Sequence, residues 1–152
     1  MAGEIARRVV QAVEEGGSDF ILFNLANPDL IAHTGNMEAT KAAITVVDQE
    51  LARVLDACLK RDAVLIVVSD HGNAERLRNP LTGAPETKHD ASPVPVAIVG
   101  KEFVSVKTDA EFAASQSEIA GLLSDVAPTI LSIMGVPKPD EMTGENLIPN
   151  LR

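Results

Sequence analysis

The sequence predicts an α/β fold, an open and mostly parallel sheet flanked by helices. Three observations carry this. Apolar residues recur at helical spacing in two long blocks, 3–15 and 37–60. Three short apolar runs without polar alternation lie after those blocks, as strands covered on both faces do. The resulting order of helix, strand, helix, strand, strand is that of an α/β domain.

Taken in order, Ile5, Val9, Val10 and Val13 mark one face of the first helix, which should stop at Gly16-Gly17. The run Asp19-Phe-Ile-Leu-Phe-Asn24 reads as a buried strand, broken by Asn27-Pro28-Asp29. The second helix places Ile44, Val47, Leu51, Val54 and Cys58 three and four residues apart, on one face. Ala63-Val-Leu-Ile-Val-Val-Ser69 is rich in β-branched residues and suits a central parallel strand. Val94-Pro-Val-Ala-Ile-Val-Gly100 is a third strand, with a ragged start at Pro93 and Pro95. Residues 101–117 lack a clear period and read as loop, with a short strand over Phe103–Val106. A last helix spans about 126–134, with Ser124 or Asp125 free to cap it, Gly135 ending it, and Pro137 and Pro139 preventing its resumption. No linker is evident, so 1–152 reads as a single domain.

With 45% hydrophobic residues the chain can bury a sizeable core. Its formal charge of −9 repels a duplex or an anionic membrane, and no basic stripe offsets it, so neither nucleic acid nor membrane is expected as a partner. No apolar run approaches the ~20 residues of a membrane span, and the N-terminal region has no apolar block of a signal sequence. A cytoplasmic setting is the expectation. The single cysteine, Cys58, excludes an internal disulfide and reads as a buried thiol.

The three histidines carry the chemical signal. His33, His71 and His89 each follow a predicted strand or lie in the loop after one, and sites in open α/β sheets assemble at the carboxyl ends of strands. Asp29 and His33, four apart at a helix start, project to one side, close enough to share a cation. Carboxylate plus imidazole suits Mn²⁺ or Zn²⁺. Asp70-His71-Gly72 leaves the core at the end of a strand, and Gly72 permits a sharp turn or a close approach. His89 sits in a loop of about twenty residues, a length that is usually functional or disordered. Together the set is enough for two neighbouring divalent cations, neither with a complete shell, the usual means of clamping the oxygens of a phosphoryl transfer; hydrolysis by metal-bound water is an alternative use.

These residues fall in strings that resemble the cofactor-independent phosphoglycerate mutases of the alkaline phosphatase superfamily. Asn24-Leu-Ala-Asn-Pro-Asp-Leu-Ile-Ala-His-Thr-Gly-Asn36 is similar to that family's N-Y-A-N-P-D-M-V-G-H-[TS]-G-N segment, and Ser69-Asp-His-Gly-Asn-Ala-Glu75 to its A-D-H-G-N-A-E. His89 with Pro93-Val94-Pro95 resembles H-T-x-N-P-V-P. Asp125-Val-Ala-Pro-Thr-Ile-Leu131 and Met142-Thr-Gly144 resemble D-I-A-P-T-x-L and M-T-G.

The resemblance implies the C-terminal part of an alkaline-phosphatase-like domain, incomplete at its N-terminal side. It implies Asp29, His33 and His89 as ligands of one Mn²⁺, and Asp70 and His71 as ligands of a second, incomplete site, with Zn²⁺ or Mg²⁺ also compatible. The implied reaction interconverts 3-phosphoglycerate and 2-phosphoglycerate through a phosphoserine. The nucleophilic serine has no counterpart here: Ser18, Ser69, Ser92 and Ser105 lack its motif. Arg76, Arg78 and Lys88 read as solvated loop charges. A sheet lacking N-terminal strands would expose an edge and favour self-association or a companion chain. A metal-dependent phosphatase or phosphopentomutase, or a non-catalytic metal-binding remnant, are the alternatives.

Overall fold

The computed structural model describes residues 1–105, 107–115 and 117–151. They form two compact units, Met1–Val104 and Ser105–Arg152, divided within the stretch where the sequence shows no period.

In the first unit, α1 (Ala2–Glu15) ends at Gly16, whose φ of 68° is the left-handed conformation that only glycine adopts without cost; its N–H bonds to the Ala12 carbonyl. Residues 27–32 form α2 (Asn27–Ala32), so the break expected at Pro28 is the opening of a short helix. The long helix α3 (Met37–Lys60) begins at Asn36, whose Oδ1 accepts the Ala39 N–H at 3.0 Å. Helices α1 and α2 both pack on α3. The core gathers Ala6 and Val9 from α1 with Val54 and Cys58 from α3 and Leu65. Burying one such side chain is worth about 1.5–3 kcal/mol. Cys58 is buried as expected, and burial pushes its thiol pKa up. The expected face of α3 is buried only in part: Val54 and Cys58 are enclosed, Val47 and Leu51 are half-buried, and Ile44 is exposed.

Residues 19–24 do not form a strand. Their side chains still alternate, Ile21 and Phe23 lying against the core and Phe20 and Leu22 exposed. The segment keeps the period of a strand without a hydrogen-bonded neighbour to make it one.

The sheet seen is smaller than the open, mostly parallel one expected, and its one pairing is antiparallel. Among the described residues it has two strands, β1 (Leu65–Val68) and β2 (Val96–Val99), and they are antiparallel, with Leu65 opposite Val99 and Val68 opposite Val96. Parallel neighbours need a crossover, usually a helix. The chain between β1 and β2 holds only a 3-10 turn at Ala74–Arg76, so it returns directly. Nor is β1 covered throughout, since Val68 is exposed. The strand β2 starts after Pro95, as its prolines require.

Among the described residues the second unit holds two α-helices. Helix α4 (Asp109–Ser115) occupies part of the stretch read as loop. Its start is a capping box: Thr108 Oγ1 accepts the Glu111 N–H at 3.3 Å, and Glu111 accepts the Thr108 N–H at 2.8 Å. The short strand expected over Phe103–Val106 is not seen at Phe103, which closes a 3-10 turn (Lys101–Phe103); Val106 lies outside the described residues.

Helix α5 (Val126–Ile133) is followed by Gly135 with φ 66°. Asp125 precedes it, but its side chain does not cap it. One carboxylate oxygen accepts the Leu122 N–H at 2.7 Å and the other the Glu145 N–H at 2.9 Å. Buried Thr129 continues the tie, its hydroxyl donating to the Asp125 carbonyl and accepting the Leu147 N–H. Gly144 passes so close to the Ser124 carbonyl that a Cβ there would collide with it.

Candidate metal centre

Helix α2 sets the first pair of side chains. Asp29 lies in its first turn and His33 closes it, the His33 N–H bonding to the Asp29 carbonyl at 3.2 Å. One helical turn apart, the two side chains meet, Asp29 Oδ1 lying 3.3 Å from His33 Nε2.

The other two histidines are brought in by the chain between the strands. The loop is ordered by its own contacts: Leu77 is buried, Glu86 N–H bonds to the Leu77 carbonyl, and Arg78 donates to the Gly83 carbonyl. Arg78 thus holds its own loop. A β-bridge pairs Gly72 with Asp90, closed by the Asp90 N–H to the Gly72 carbonyl at 3.0 Å. Each bridge partner is directly preceded by a histidine, and the rings of His71 and His89 stack with centroids 3.6 Å apart. A Cβ on Gly72 would meet the carboxylates of Asp90 and Glu75, which would have to move to admit it.

At the centre, Asp29 Oδ1, His33 Nε2 and His89 Nε2 are mutually close: 3.3 Å, 3.0 Å and 3.0 Å. Metal–ligand bonds of about 2.0–2.2 Å, at right or tetrahedral angles, separate donor atoms by about 2.8–3.6 Å. The three donors therefore already have the spacing of a coordination face. His33 Nδ1 lies 2.7 Å from the Thr87 carbonyl and must donate to it, which fixes the tautomer and leaves the Nε2 lone pair facing the cluster. His89 Nε2–H then has two acceptors, Asp29 Oδ1 and His33 Nε2. A cation would take the place of that proton. His71 belongs to the same cluster, one of its ring nitrogens lying within 4.8 Å of ligand atoms of Asp29 and His89. Its Nδ1 is buried and has no partner. Donor spacing, tautomer and an orphaned imidazole nitrogen all fit a divalent metal.

Asp29 is tuned by its surroundings. Burial pushes its carboxyl pKa up, but the Asn73 hydrogen bond and the imidazoles of His33 and His89 together outweigh this and hold it below the usual carboxylate value. Asn73 donates Nδ2–H to Asp29 Oδ1 at 2.7 Å, and its own N–H bonds to Glu75 at 2.9 Å.

The five residues expected as ligands are thus not distributed as two separate groups. Asp29, His33 and His89 converge. His71 stacks onto them. Asp70, with 81% of its side chain exposed, stays at the rim, 3.5 Å from His71 Nε2. Ser69 is turned to the His71 carbonyl, to which its hydroxyl donates at 3.0 Å. Sequence reasoning gives Asn73 and Glu75, both in the Asp-His-Gly-Asn-Ala-Glu string, no ligand role and only the shaping of their loop.

A carboxylate–imidazole cluster of this kind, seated beside the sheet and the first helices, defines a metalloenzyme-type centre. The chain belongs to the metalloenzyme superfamily, whose family model matches residues 1–138. It is 44% identical over 147 residues to the 2,3-bisphosphoglycerate-independent phosphoglycerate mutase of Ruegeria pomeroyi, covering 97% of this chain and 27% of that protein. It is 41% identical over 147 residues to the mutase of the same description from Rhodopseudomonas palustris, with the same coverage. A crystal structure of Leishmania mexicana phosphoglycerate mutase at low cobalt concentration superposes with a TM-score of 0.77 at 27% identity, covering 95% of this chain and 27% of that one. The chain thus spans about a quarter of the length of these relatives. The family and the cluster support a divalent metal cofactor. No helix among the described residues is long and apolar enough to cross a membrane.

Proposed function

We propose that this chain supplies metal ligands to a cofactor-independent phosphoglycerate mutase, which interconverts 3-phosphoglycerate and 2-phosphoglycerate in glycolysis and gluconeogenesis. The observation that carries the reading is the triad of donor atoms 3.0–3.3 Å apart, in a chain 44% identical to a mutase of this description. Asp29, His33 and His89 hold one Mn²⁺, and His71 with Asp70 half of a second site. Bound there, the metals stabilise charge on a transferring phosphoryl group. Asp29 supplies the negative charge of the first site, and His33, oriented by the Thr87 carbonyl, presents a lone pair without a competing proton.

The serine nucleophile comes from outside these 152 residues, on a companion segment. In this reading residues 1–152 are one portion of a single phosphatase-like domain, a view supported by a family match that runs across the boundary of the two units. The companion, or a second copy, adds strands beside the exposed Phe20 and Leu22 and completes the open, mostly parallel sheet. The setting is cytoplasmic, and the substrate is phosphoglycerate.

The test is an enolase-coupled assay of the Mn²⁺-loaded chain, alone and mixed with the first three-quarters of the Ruegeria pomeroyi relative. The expected result is turnover only in the mixture, and none when the chain carries Asp70→Asn. Turnover by the chain alone would refute the assignment of the nucleophile to another segment. Release of inorganic phosphate without isomerisation would identify a phosphatase instead. Mn²⁺ binding without turnover in any mixture would identify a metal-binding remnant.

A further inference from the structure

We propose that Asn73 is a positioning residue for the metal centre, holding the Asp29 carboxylate so that Oδ1 faces His33 and His89. This rests on the metal reading above and goes beyond its ligand set.

Three observations carry it. First, the Asn73 Nδ2–H to Asp29 Oδ1 bond, at 2.7 Å, joins the turn after β1 to helix α2 across 44 residues of sequence, and it falls on the oxygen that His33 and His89 share. Second, Asn73 is itself held. Its N–H is bound by Glu75, and the residue before it is locked in the bridge to Asp90. Third, the side chain is badly placed for stability alone. Asn73 is only 4% exposed, yet its Oδ1 is buried without a partner. A buried amide with an unpaired carbonyl disfavours folding. An apolar residue of similar size would avoid that, so the amide is explained by what it donates to.

The chemistry agrees. Only the NH₂ end of an amide can face a carboxylate, so Asn73 cannot flip without placing two oxygens together. With one Oδ1 lone pair engaged by Asn73, the remaining one is directed toward the imidazoles. Ligating carboxylates are commonly held by hydrogen bonds of this kind, and losing such a partner typically costs 10–100-fold in metal affinity.

The experiment compares wild type, Asn73→Leu and Asn73→Ala by Mn²⁺ calorimetry and by thermal melting of the metal-free chain. The expected result is an affinity about 10–100-fold weaker in both variants, with metal-free melting unchanged or raised in Asn73→Leu. Unaltered affinity in either folded variant would overturn the proposal. So would a loss of affinity matched by a lower metal-free melting temperature in both, which would make Asn73 a structural residue. Failure of the wild type to bind Mn²⁺ would instead sink the metal reading itself, so the two failures are distinguishable.

Discussion

Asp29 and Asp125, one in each unit, have carboxyl pKa values depressed for different reasons, and the contrast shows how a site carboxylate differs from a structural one. Asp125 is held down by backbone N–H groups, first that of Leu122 and then that of Glu145. Its partners are permanent donors that no ligand could replace, and it ties a loop to a helix start. Asp29 takes its hydrogen bonds from side chains, the Asn73 amide and the His89 imidazole, whose proton also faces His33 Nε2. Such a proton can give way to a cation. Both residues open conspicuous motifs in the sequence, and only their partners separate the two roles.

The largest effect expected from this contrast is on metal binding. Asp29→Ala should weaken Mn²⁺ by more than the ~10–100-fold that an outer partner is worth, whereas Asp125→Ala should leave Mn²⁺ affinity unaltered. Titration calorimetry on both variants checks this, and equal losses would erase the distinction. Next, Thr129→Val should lower stability by about 1–3 kcal/mol, because the buried Leu147 N–H loses its acceptor and the Asp125 carbonyl its donor. A urea midpoint equal to wild type would show that the network around Asp125 holds nothing.

The smallest effect concerns pH. A carboxylate whose folded pKa is depressed contributes stability that is present above its unfolded value, about 3.9 for Asp, and lost as pH falls through the folded value. Asp125→Asn should therefore be less stable than wild type at neutral pH and show a shallower decline on the acid side. Parallel urea-midpoint curves for the two proteins, measured from neutral pH down through that acid range, would contradict the assignment.

How much was legible in the sequence varies with the range of the interaction. The helix over 37–60 is specified locally: Asn36 caps it, and its apolar spacing is continuous. The Asp29–His33 pair is equally local, since four residues make one helical turn. The capping box at Thr108 and Glu111 was also present in the sequence, although the stretch reads as loop because α4 has no buried residue and therefore little apolar period. The antiparallel pairing of β1 and β2 was implicit as well. No helix-period segment separates the two apolar runs, and a parallel pair needs one.

By itself, then, the sequence determined helices α1, α3 and α5 with their stops, and the residue types able to hold a divalent cation. These follow from contacts within a few residues, which spacing records directly. Only the tertiary structure decided that His89 meets Asp29 and His33 across more than fifty residues, that His71 joins them while Asp70 stays exposed, and that Asn73 reaches Asp29. It also decided that residues 19–24 remain without a ladder. A strand exists only through hydrogen bonds to a neighbour, and a metal site only through donors converging from separate elements. Neither is a property of a local segment.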